Sequence, residues 1–206
     1  MASVATQEAP VLEQQGDHEQ AHHHPHKHDE HHAHLDPVDA NGVERKPRHK
    51  PGEIVDYKVT TTCTNNSDAT LTYLGEYHPH GNLQSQGVDM TGFSKDNAVG
   101  TWAGATLAMT GCGGVSLYQI QNLPGLSGTN YVVFFAYVPW WYSANEIWAS
   151  VTSTKPTADS SLFDTLEKAS KSSTCEVDLG NNYVIKGSIG DTDVTEARFT
   201  ITLKST

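Results

Sequence analysis

Residues 18 to 34, HEQAHHHPHKHDEHHAH, hold nine of the chain's twelve histidines. Neutral imidazole nitrogens are borderline ligands for zinc, copper and nickel. His22, His23, His24, His26 and His28 are therefore the candidate ligands of a divalent transition metal. The same tract also reads as a solvated, pH-responsive tail, because its other residues are small, charged or amide-bearing and cannot offset the entropy of ordering. At about pH 6 such a tract turns from acidic to basic.

The other residues of reactive type do not assemble into a catalytic pattern. His78 and His80, in YHPHGN, lack a third ligand, and the proline between them with Gly81 after them predicts a turn. GCGG at 111 to 114 lacks the Lys-Ser/Thr of a phosphate loop and the glycine spacing of a dinucleotide site, so it too is expected to be a turn. There is no nucleophile elbow, no HExxH, and no cysteine with an evident histidine partner. Cys63, Cys112 and Cys175 are odd in number without metal-type spacing and read as buried, reduced thiols. The NNS at 65 to 67 matches a glycosylation sequon. No enzymatic activity and no cofactor are expected.

VPWWYSANEIW, residues 138 to 148, places three of the four tryptophans, Trp140, Trp141 and Trp148, close together, with Tyr137 and Tyr142 among them. Pro139 cannot donate to a strand ladder, so it ends the preceding strand and puts the next aromatics on a loop. Indole and phenol rings suit a boundary with one apolar and one wet side, such as a lipid headgroup layer or a sugar face. Two exposed indoles leaving water would each contribute on the order of 2 kcal/mol. An aromatic cage also holds a quaternary ammonium. The alternative is that these rings belong to the core or to an internal interface.

The elements that must position this loop lie in the second three quarters of the chain. Residues 1 to 50 contain no Trp, Tyr or Phe and form a His-rich tail expected to be disordered, while 51 to 206 form one domain. The net charge of -11 divides as -4 and -7 between these parts. That balance excludes nucleic acid as the main partner and a purely electrostatic grip on anionic lipid. The N-terminus shows neither a charged n-region nor an apolar h-region, so the chain is expected to be made in the cytoplasm without a secretory signal. Its longest apolar run, YVVFFAYV, is far short of the ~20 residues of a spanning helix.

From Ile54 onward short β-rich runs alternate with turn residues. IVDYKVTTTC and ATLTYL, joined by TNNSD, predict a hairpin. AGATLAM, VSLYQI, YVVFFAYV, EIWASVTS, NYVIKGSI and EARFTITL follow, the last placing Ala197, Phe199, Ile201 and Leu203 on one face. PTADSSLFDTLEKASK predicts a helix, capped by Thr157 or Asp159, with Leu162, Phe163 and Leu166 as its apolar stripe and Glu167, Lys168 and Lys171 outside. The expected fold is mainly β, a β-sandwich with one or two flanking α-helices.

PHG (79 to 81), AVGTWAGATLAM (98 to 109), VVFFAYVPWWYS (132 to 143), TADSSLFDTLE (157 to 167) and YVIKGSIGDTDVTEARFTITL (183 to 203), in that order, resemble the actinoporin family of sphingomyelin-binding cytolysins, and especially its non-lytic fungal relatives that bind sphingomyelin and cholesterol. The resemblance covers residues 54 to 206 and implies the same sandwich. It implies a lipid site at Tyr137, Pro139, Trp140, Trp141, Tyr142 and Ser143, where the family loop enters the membrane interface and helps form a phosphocholine pocket. On the helix, actinoporins carry a tyrosine followed four and five positions later by two more. This chain has Phe163, Glu167 and Lys168 there, which leaves the choline cage incomplete and Lys168 free to approach a phosphate. The family's N-terminal perforating helix has no counterpart in MASVATQEAPVLEQQGDHEQ, where Val4, Val11 and Leu12 are scattered around Pro10.

The expected function is recognition of sphingomyelin- and cholesterol-containing membranes at the outer surface of target cells, after release, without efficient pore formation. The alternatives are a glycan-binding lectin of the fungal fruit-body type and a true pore former. The sequence carries no signal for oligomeric state.

Overall fold

A computed structural model of the chain describes residues 55–104, 111–140, 144–170 and 172–205. The histidine tract lies outside them. In chain order the elements are β1 (Lys58–Asn65), β2 (Thr70–His80), β3 (Asn82–Ser85), β4 (Ser94–Ala103), β5 (Cys112–Gln121), β6 (Asn130–Val138), β7 (Glu146–Thr152), α1 (Ser160–Ala169), β8 (Thr174–Gly180), β9 (Tyr183–Ile189) and β10 (Val194–Leu203). They form a six-stranded sheet, β3-β4-β1-β10-β9-β8, and a four-stranded sheet, β2-β5-β6-β7. The expected sandwich is present, with one helix among the described residues. Neighbouring strands run antiparallel except β1 and β10, which pair in parallel from Lys58↔Val194 to Asn65↔Ile201.

The unbroken apolar run of β6 has a two-sided cause. Val132, Phe134, Ala136 and Val138 face the six-stranded sheet in the main core, while Val133, Phe135 and Tyr137 point the other way into a second core. That second core is closed by Phe163 and Leu166 of α1, on the outer face of the four-stranded sheet. Asp159 caps the helix, its Oδ1 accepting from Leu162 N at 3.0 Å. The alternation read in β10 holds for Ala197, Phe199 and Ile201, which are buried, and fails at the strand's last residue, Leu203, which is 56% exposed.

Between the sheets lies Trp102, fully buried. Its indole fits because two facing positions lack side chains: a Cβ on Gly100 would lie 2.7 Å from the ring, and one on Gly114 would lie 2.7 Å from the ring and 2.8 Å from Tyr77 O. The GCGG stretch is therefore only partly the expected turn. Gly111, with φ +70, turns, but Cys112, Gly113 and Gly114 are strand β5. His78 and His80 likewise belong to β2, and the chain bends at Gly81 (φ +83). Of AGATLAM, only Ala103 and Gly104 are described.

The hairpin expected around TNNSD is not formed. β1 and β2 lie in different sheets, and the segment crosses between them. Asn65 continues the inward series Val59, Thr61, Cys63 and carries its amide inside, where Nδ2 donates to Ala69 O (2.7 Å) and Thr91 O (3.0 Å). Its Oδ1 accepts from Ser67 N (3.2 Å) and Ser67 Oγ (2.6 Å). The asparagine of the sequon is thus a buried structural residue and presents no free amide for a glycan.

All three thiols are free and buried, as expected. Burial pushes Cys63 and Cys112 up to about 12 and Cys175 up to about 11, from the usual 9.0. Below 9.0 both folded and unfolded chains keep these protons. Above it the unfolded chain loses them first, so stability present at neutral pH falls as pH rises towards about 12. The loss approaches about 1.4 kcal/mol per pH unit for a fully protected thiol such as Cys63. Urea unfolding should show a lower midpoint at about pH 10 than at about pH 8, and a thiol reagent at neutral pH should label the unfolded chain but not the folded one. Gly114→Ala should cost about 1–3 kcal/mol in the same urea assay, since neither Tyr77 O nor the indole has room to yield.

Candidate functional site

One pole of the sandwich gathers the ends of both sheets. β6 finishes there at Val138, opposite Cys112 of β5, and Glu146 of β7 pairs with Tyr137. The other sheet brings Lys58, Ala103 and Val194 to the same level. Side chains tie the two sheets together here by capturing backbone carbonyls. Tyr57 OH donates to Trp140 O at 3.2 Å. Asn145, 1% exposed, donates from Nδ2 to Gly190 O (2.7 Å) and Thr192 O (2.8 Å).

The aromatic segment begins on this base. Val138 and Pro139 are buried, and Trp140 is half-buried, its ring packed in part against the main core. Gly111 runs alongside: a Cβ there would overlap Val138 O and lie 2.8 Å from Trp140 N. Trp141, Tyr142 and Ser143 lie outside the described residues. Trp148 is half-buried on β7, opposite Phe135, and touches both cores.

The sequence-based site residues therefore divide. Tyr137 and Phe163 are brought together, ring centroids 5.7 Å apart, but as core: Tyr137 is 9% and Phe163 1% exposed. His80 completes this cluster, stacked on Tyr137 at 5.5 Å and edge-on to Phe163 at 5.8 Å. Burial raises the Tyr137 hydroxyl to about 12, with smaller contributions from the carboxylates of Glu167 and Glu146 and from Cys112. Phe163 thus braces α1 against the sheet instead of presenting its ring to a ligand. Lys168 is exposed in the last turn of α1. Sequence reasoning gave Tyr57 and Asn145 no role at this pole and read His80 as a turn residue. Asn145 carried no local signal, since its partners lie 45 and 47 residues away.

Among the described residues no group of three or more His, Cys, Asp or Glu could hold a metal, and the thiols stay protonated at neutral pH. No described helix is long and apolar enough to cross a membrane. What the pole offers is a part-exposed indole on a fixed backbone, with a lysine on the flanking helix.

No protein-family model matches the chain, and no curated protein matches it. Solved structures do. The lipid binding protein Nakanori aligns with a TM-score of 0.57 at 13% identity, over 72% of this chain and 72% of that one. The Xerocomus chrysenteron lectin XCL aligns, as a triple mutant, with a TM-score of 0.46 at 11% identity over 73% of this chain and 100% of that one, and, as the wild type, with a TM-score of 0.45 at 10% identity over 72% of this chain and 100% of that one. At such identities the likeness is one of fold, and it agrees with the sandwich expected from the sequence.

Asn145→Ala should remove both tethers and leave two carbonyls unmatched at a buried position, costing about 2–3 kcal/mol in urea unfolding. Asn145→Asp should also destabilise, since the NH2 donors are lost.

Proposed function

We propose that this protein binds sphingomyelin-containing membranes, with cholesterol, through Pro139, Trp140 and the adjoining Trp141, Tyr142 and Ser143, without catalysis and without efficient pore formation. The observation that supports this most directly is the half-exposed Trp140 that follows a buried strand end and whose own carbonyl accepts from Tyr57 OH. An indole placed on fixed backbone loses little conformational entropy on docking, so most of its apolar burial is available for binding. The fold shared with a protein described as lipid binding supports the same reading.

In this reading Tyr137 and Phe163 act from behind, as the packed floor of the pole, and Lys168 reaches a headgroup phosphate from the rim. Phosphocholine lipids carry no net charge, which suits a chain of net charge -11. The N-terminal sequence lacks the apolar stripe that a perforating helix needs. The protein would be made in the cytoplasm and act at the outer surface of target cells after release, and the histidine tract, with His22, His23, His24, His26 and His28, remains a candidate for a divalent transition metal.

Replacing Trp140 and Trp141 together by Ala should abolish co-sedimentation with sphingomyelin/cholesterol vesicles while the circular dichroism spectrum stays that of the folded parent, the urea midpoint falling somewhat because Trp140 packs in part against the main core. Vesicle binding that survives in a folded double variant would refute the proposal. Dye-loaded vesicles should bind the parent protein without releasing their contents.

A further inference from the structure

The outer face of the six-stranded sheet carries a feature that the aromatic pole does not use. Around the parallel β1–β10 pair and the neighbouring end of β9 lies an open cleft of about 670 Å3. Its floor is lined by Ser188 and Ile189 at the end of β9 and by Gly190 just beyond it, with Ser188 opposite Arg198 and Gly190 N donating to Glu196 O of β10. Lys58 and Thr60 of β1 form one side, and the turn bearing Thr192 forms the end wall. That wall is set by Asn145, which holds the carbonyls of Gly190 and Thr192.

The charges in the cleft are unusual for this chain. The lining residues Lys58, Arg198 and Glu196 give a net positive charge in a protein of net charge -11. Arg198 is paired with Glu196, as Lys186 is with Glu176 and Lys204 with Asp178 on the same sheet. Lys58 has no such partner among the described residues. It is also half-buried, whereas every other lysine among the described residues is exposed. An ammonium that has no carboxylate partner among the described residues is stabilised by a ligand that supplies negative charge. The hydroxyls of Thr60, Ser188 and Thr192 add donors around it. No aromatic ring lines the cleft, so it lacks the platform on which a neutral sugar would stack.

We propose that this cleft binds a tetrahedral oxyanion, a phosphate or sulfate group, with Lys58 as the principal ligand and Arg198 shared between the anion and Glu196. The site stands independently of the aromatic loop. The group could arrive as a free anion or on a lipid headgroup, since Asn145 joins the cleft wall to the pole that carries Trp140.

The experiment is a titration of the full-length chain with inorganic phosphate in a phosphate-free buffer at about pH 8, where unperturbed histidines are neutral, followed by backbone amide NMR. Saturable shifts are expected at Ser188, Gly190 and Thr192. Lys58→Gln should weaken binding about tenfold, the equivalent of ~1.4 kcal/mol, whereas Glu196→Gln should strengthen it by freeing Arg198. Both positions reach solvent, so both variants should remain folded, as the unchanged amide spectrum elsewhere would show. Absence of saturable shifts, or a Lys58→Gln protein that titrates like the parent, would overturn the proposal. A second arm separates the sources: phosphatidic acid in phosphatidylcholine vesicles, sedimented with Trp140→Ala and with Trp140→Ala/Lys58→Gln. Weaker binding of the latter assigns the headgroup, and equal binding alongside a positive phosphate titration assigns the free anion.

Discussion

The spacing between the two sheets rests on one side chain. Trp102 projects from β4 into the centre of the sandwich, and both walls have given up side chains to admit it, Gly100 on its own strand and Gly114 across the gap. A buried indole removes a large apolar surface from water, which makes it a strong wedge. Its Nε1 finds no hydrogen-bond partner among the described residues, a cost of about 1–3 kcal/mol that the packing offsets. Because Trp102 pairs across β4 with Val59 on one side and Leu83 on the other, the wedge fixes the level at which β1 and β3 begin. The pole is the structure that follows from that level.

The second constraint is that β6 is packed on both faces. Its inward residues meet Trp102's core and its outward residues meet α1, so the strand cannot slide or twist without disturbing two cores. The strand's rigidity reaches its C-terminal end at Val138. There Pro139 ends the ladder, and the chain turns outward with Trp140 still partly seated on the core. The aromatic content of this region is therefore divided by function: Tyr137, with Phe135 and Phe163, is spent on holding the helix, and the tryptophan past the proline is left at the surface.

This division explains what could be read from the sequence. β6, β9 and β10 were legible because their apolar pattern is strong, and α1 because Asp159, Phe163 and Leu166 have helical spacing. β3 was not, since its residues are mostly exposed, whereas β8 does alternate, with Cys175, Val177 and Leu179 inward against Glu176 and Asp178, in a run too short to stand out beside the helix before it. TNNSD has the composition of a hairpin turn, and its actual path depends on Thr91 O, which sits 26 residues away from Asn65. GCGG and YHPHG have the composition of turns because glycine and proline dominate them, whereas in β5 Gly114 clears space for Trp102 and Gly113 lies close against Ala136 and Tyr137 of β6. The loop's start at Pro139 was readable, because proline's missing N–H is a local property. The burial of Phe163 and Tyr137 was not, because it depends on how a helix docks on a sheet formed elsewhere.

Magnitudes limit what the pole can do alone. Two indoles at about 2 kcal/mol each amount to roughly a millimolar dissociation constant. With a net charge of -11, general electrostatic attraction to an anionic surface works against this chain. Stable attachment to a membrane consequently requires a further local contact, one that recognises a particular group and does not depend on overall charge. In the proposed reading the cleft around Lys58 would supply one, its wall being joined to Asn145 by two short hydrogen bonds. Rigid coupling of two weak contacts lets the second form without renewed loss of translational freedom, so their free energies combine more fully than those of two separate molecules would.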